Sequence, residues 1–402
     1  MINPSAHGWI DKFFLLQAAA QNSDAFPSAD VFYEKIRETG FIFGHVIAFD
    51  TTFSFSLVTK GWTKNEISKA ALLNTLYGMH RMTIKENNPQ RFISDAVAFY
   101  NEMNPQGFKL FKNIFSSNIS SNLEEIIDDR VQTNHDIISK NFSQIVTNAL
   151  LFIDVLAFHK FLSLGEIPEK YLKKIEETII NIISLSLKAK TVKSPHDNLL
   201  IQLFEASVRY SKFSDLTIQN AEALKLDYFT DDIEKKYFID IAGMTLWSDG
   251  ILENEESYFL HKLGESMNLE DLYVMKSMVA TNTFLAKHKK DIPYFNYSNP
   301  VKNLYDNITQ SVIVLITRNK KRLLKEITQS GELMVLLAHS THRDLNAKEK
   351  KKVKNQLLDI CKTIPSLTIF LLPGGSLLLP ILIKFIPKML PSAFNENQND
   401  IE

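Results

Sequence analysis

The sequence predicts an all-α protein built from several multi-helix bundles. Only 13 Gly and 13 Pro punctuate its 402 residues. Apolar residues recur at spacings of three and four, and the alternation of a half-buried strand is nearly absent.

Thr63-Lys64-Asn65-Glu66 reads as a capping box opening a helix through Ala70, Leu72, Leu73 and Leu76. Phe41-Ile42-Phe43 and Phe53-Ser54-Phe55 read as core, since 28 Phe must be buried somewhere. Helices are expected over 145–162 and 169–187. Ser194-Pro195-His196-Asp197 starts another, with Pro at the first helical position and an acid in the first turn. Further helices are expected over 233–247, 255–267 and 269–285, and the run from Leu345 to Lys352 introduces a basic helix reaching Lys362. The polar stretch 118–134 and the Pro-bounded stretch 291–300 suggest cuts near 130 and 300. They divide the chain into an N-terminal helical region (1–130), a central bundle (131–300) and a C-terminal region (301–402).

Overall charge is close to neutral, at 45 basic and 46 acidic residues, so composition predicts no DNA binding. Distribution is more telling. Residues 221–275 hold 4 Lys and 13 acids, whereas 281–362 hold 16 Lys or Arg and 7 acids, making the chain a dipole along its length. The single cysteine, Cys361, fits a reducing compartment and reads as a small apolar residue. The first nine residues lack the blocks of a secretory signal.

Trp247-Ser248-Asp249-Gly250-Ile251-Leu252-Glu253-Asn254-Glu255-Glu256 joins two apolar helices. Asp-Gly supplies a tight turn, and Glu253 and Glu256 fall at the N-cap and third position of the next helix. A helix, an Asp-Gly turn and a Glu seven places after the Asp resembles the tellurite-resistance TerB-like family. The resemblance implies a bundle over roughly 140–290, with Asp249, Gly250 and Glu256 on its signature turn. Asp240, Asp249, Glu253 and Glu256 are the candidates for a hard cation. The loop lacks the alternating order of a calcium-binding hand, and capping accounts for two of the acids, so no metal or other cofactor is expected. His339 and His342, with Asp344, have no third strong ligand for zinc and read as polar residues ending a helix. No triad, P-loop or dinucleotide fingerprint occurs, and an enzyme is not expected.

The last region carries the most specific signal. From Thr363 to Ile383 there is no charged side chain, and 21 residues suffice for a helix to cross about 30 Å of hydrocarbon. Twelve Leu, Ile or Phe there favour insertion by roughly 4–7 kcal/mol, and Pro373 and Pro380 each oppose it by up to about 3 kcal/mol. Insertion and a Pro-broken hairpin packed on the body therefore both stand. The order of a basic helix, Pro365, Pro373, Pro380, Lys384, Pro387 and the terminal Met389-Leu390-Pro391-Ser392-Ala393-Phe394 resembles the LETM family. With a TerB-like body, the combination resembles its bacterial biofilm-associated group. The resemblance implies a membrane-inserted helix, with proton-coupled cation exchange and ribosome association as the family's proposed roles. Ser376 stands where the family usually carries an acid, and the large ribosome-binding portion that follows the hexapeptide in the family is expected to be missing, since eight residues follow Phe394.

These readings add up to a non-enzymatic scaffold or ion-homeostasis accessory at the cytoplasmic face of the inner membrane. A transporter and a soluble, ribosome-binding interaction module are the alternatives, the latter cytoplasmic. Six Lys precede the uncharged run within 15 residues and two follow it, which would keep the body cytoplasmic. Arg318, Lys320, Lys321, Arg322 and Lys325 would then face anionic lipid. Protein partners are not named by the sequence.

Overall fold

The computed structural model describes residues 2–19, 26, 28–44, 46–47, 59–103, 118–132, 149–190, 224–247, 254–288, 290–291, 313, 316–343, 345–364, 367 and 383. Most of them are helical, and no strand occurs among them. The chain forms two compact units, Met1–Val58 with Ile67–Asn303 and Thr59–Glu66 with Leu304–Glu402.

In the first unit the helices are α1 (Trp9–Ala19), α2 (Ala29–Thr39), α3 (Lys64–Ile84, counted here from Ile67), α4 (Pro89–Met103) and α5 (Ile119–Gln132). They continue with α6 (Phe152–Leu164), α7 (Tyr171–Ala189), α8 (Asp232–Leu246), α9 (Asn254–Ser266) and α10 (Asp271–His288). The start at 194 lies outside the described residues, as does Phe53-Ser54-Phe55. Phe41-Ile42-Phe43 forms a buried 3-10 turn.

α8 is central, with Tyr237, Phe238, Ile239, Ala242 and Leu246 all fully enclosed. It packs against α7, α9, α10 and α2. Such a helix carries apolar residues on every side because every side is covered. Gly264 lets α9 approach α10 closely, since a Cβ there would lie 2.6 Å from a Val274 methyl. α9 then ends through Asn268 at φ 54, with the Leu269 amide bonded to the Gly264 carbonyl, a left-handed stop that asparagine tolerates.

Residues on both sides of position 130 share this core. Arg130 and Tyr100 donate to Asp154 on α6, at 2.7 and 3.1 Å. Glu124 of α5 accepts from the Gly8 and Ile10 amides at 3.0 and 2.9 Å, satisfying free donors at the start of α1.

In the described part of the second unit, α11 (Lys320–Gln329), α12 (Gly331–His342) and α13 (Ala347–Thr363) pack together. Leu323 and Ile327, Leu333 and Leu337, and Val353, Leu357, Ile360 and Cys361 supply its core from spacings of three and four. The capping box at Thr63 is present: the Thr63 amide meets Glu66 at 2.8 Å, and the Glu66 amide meets Thr63 Oγ1 at 3.3 Å. Glu66 also receives Arg318 through both guanidinium nitrogens, at 2.9 and 2.7 Å. Among the described residues no helix is long and apolar enough to cross a membrane. Of the uncharged run, the described Ile364 and Leu367 are buried in the bundle core and Ile383 packs against it.

Candidate functional site: a basic helical surface

α13 is built as a two-sided helix. Asn346 caps it, its side chain accepting from the Glu349 amide at 3.0 Å while Glu349 accepts from the Asn346 amide at 2.8 Å. Arg343 grips the same carboxylate at 2.8 and 2.7 Å. The Arg343 hydrogen bond and the Asn346 amide hold the Glu349 carboxyl down at about 2. Its C-terminus is closed by Arg322, which donates to the Thr363 carbonyl at 2.6 Å.

One side of α13 is inside the bundle, and the other is lined by exposed lysines. Lys348, Lys351, Lys352 and Lys362 fall opposite Leu357, and Lys350 and Lys354 are exposed as well. Lys352 pairs with Glu332 and Lys362 with Asp359 at 2.6 Å. Lys320, Lys321, Arg322 and Lys325 on α11 are also exposed. Between 316 and 364 there are twelve Lys or Arg and five Asp or Glu, a net charge of +7. Such a surface attracts polyanions. Burial pushes the Cys361 thiol up to about 12, so it is not a reactive group at neutral pH.

Pro365, Pro373, Pro380, Lys384, Pro387, Met389, Leu390, Pro391, Ser392 and Phe394 lie outside the described residues, as do Asp249, Gly250, Glu253 and Asp344. Glu256 is buried at the third position of α9. Asp240 is fully buried and accepts from Tyr33 at 2.6 Å, from Arg37 at 3.4 and 3.5 Å, and from Ser277. Its oxygens are taken up by protein donors. Burial first, and Asp240 next, push the Tyr33 hydroxyl well above its ordinary value. Among the described residues no three His, Cys, Asp or Glu gather as a metal-holding group. His339 lies 3.4 Å from an Arg343 nitrogen.

Residues 345–402 match the family model described as LETM1-like, RBD. The C-terminal region of the chain is therefore LETM-like. No curated protein matches the chain, and no solved structure does. The match begins at Leu345, so the region under that description includes the basic helix α13, ahead of the proline series and not only after the hexapeptide.

Proposed function

We propose that this chain is a non-enzymatic interaction protein whose LETM-like C-terminal unit docks on the ribosome. The observation that carries this reading is the coincidence of the family match, whose description names a ribosome-binding domain, with the exposed lysine side of α13. Lysines held on a rigid helix neutralise phosphates and release counterions, which gives binding that salt weakens steeply. The first unit supplies the body, read as TerB-like over its central helices. The test is cosedimentation of the full chain with ribosomes at rising salt; pelleting that persists unchanged in high salt speaks against a lysine-phosphate contact.

A second reading is attachment at the cytoplasmic face of the inner membrane through 363–391, with the protein serving as a scaffold or an accessory to ion homeostasis there. The uncharged run from 363 to 383 favours it. The burial of Ile364 and Leu367 in the bundle core makes it second. Carbonate extraction of the full chain beside one ending at Lys362 decides it: retention of the full chain alone supports an anchor, and release of both removes it. A transport role rests on the same insertion.

A further inference from the structure

α10 buries Val274, Ser277, Thr281, Phe284 and Leu285 against the first unit. Its opposite side is also apolar. Leu272, Met275 and Val279 are 58%, 56% and 65% exposed, and Asn282 and Ala286 continue the same line outward. A surface helix ordinarily turns charge outward, and one that is apolar on both sides has a second partner to cover.

The spacing of this outer line specifies the partner. Positions 272, 275, 279, 282 and 286 alternate steps of three and four, the a and d positions of two heptads. In that frame Asp271 is a g position and Lys276 an e position. A parallel, in-register pair of identical helices sets each g residue against the e residue five places on in its partner. Asp271, whose side chain is 82% exposed and 3.1 Å from His261, would meet the exposed Lys276. The pairing is attractive on both flanks. Asn282 would meet Asn282, a side chain that both donates and accepts.

We propose that α10 is the contact helix of a homodimer, its outer stripe from Leu272 to Ala286 packed in register on the same stripe of a second copy. Asp271 of each copy then faces Lys276 of the other. The seam is short, but the helix is already formed by the first unit, so association does not bear the cost of helix nucleation. A small interface of this kind gives a dissociation constant of roughly micromolar order, so the dimer is concentration-dependent.

Sedimentation velocity of the purified full chain across a concentration series is the test. The expected result is a reversible shift from one to two copies, with Met275→Glu plus Val279→Glu weakening association by about tenfold or more while circular dichroism stays unchanged. Both positions are exposed, so the variant leaves the core intact. Orientation is read from oxidative cross-linking: Val279→Cys and Leu272→Cys each form a covalent dimer in the parallel register. A monomer at every concentration overturns the proposal, as does a dimer insensitive to the double substitution. Cross-linking at Val279→Cys without Leu272→Cys overturns the parallel register.

Discussion

Replacing Asp240 with leucine leaves Arg37 buried without its counter-charge, a large perturbation of the first unit. Asp240 is inaccessible, and Arg37 is nearly so. Breaking a buried pair by removing one partner costs about 3–5 kcal/mol, most of it the stranded charge. Tyr33 and Ser277 also lose their acceptor, at about 1–3 kcal/mol for each hydroxyl left unsatisfied. At about 2–4 °C per kcal/mol for a unit of this size, the melting temperature should fall by on the order of 10 °C or more. The stranded charge can be removed separately. The triple variant Asp240→Leu, Arg37→Met and Tyr33→Phe should be more stable than Asp240→Leu alone, because neither the Arg37 guanidinium nor the Tyr33 hydroxyl is left buried without Asp240. Urea unfolding followed by tryptophan emission measures both. A cost below about 1 kcal/mol for Asp240→Leu, or a triple variant no better than the single, would refute the argument that charge desolvation dominates this network.

Three further outcomes follow from local geometry. His159, with Nδ1 3.2 Å from the carboxylate, and Lys160, at 2.9 Å, hold the Asp231 carboxyl at about 2; a depressed carboxylate stabilises above its unfolded value and loses that contribution as pH falls toward 2. Asp231→Asn should therefore be less stable than the parent at pH 7 and match it near pH 2 in urea titrations. Gly264→Ala should cost about 1–3 kcal/mol, because its methyl would meet Val274 and force α9 from α10; an unchanged denaturation midpoint contradicts that packing. Cys361 should resist maleimide at pH 7.5 in the native chain and react once urea unfolds it, and rapid native labelling would mean the second unit's core opens readily.

Helix positions were largely legible because they depend on local periodicity. The stretches expected over 169–187 and 233–247 correspond to α7 and α8, and the Thr63 capping box forms as its four residues indicate. α13 runs to Thr363 as the basic stretch implies, and its Asn346–Glu349 capping box, a local signal, was not among the expected helix starts. What depends on distant partners was not legible. Asp240 looked like one acid among four near a turn, yet its donors Tyr33 and Arg37 come from α2, some two hundred positions away, and no local pattern signals such a meeting. The same holds for Glu66, legible as a cap but not as the partner of Arg318. The family signal was read at the prolines and the hexapeptide. The family match also covers the lysines before them, where a charged helix side by itself reads as ordinary solvated surface.

Salt dependence of ribosome binding, measured for the full chain and for Lys348→Ala, Lys351→Ala, Lys354→Ala together, tests the central claim most directly. These lysines are exposed, so the bundle should keep its fold. If they contact ribosomal phosphates, the slope of log affinity against log salt should fall by about 2–3 in the triple variant, with weaker binding at low salt. Equal slopes and affinities, or no binding by either chain, would contradict the account.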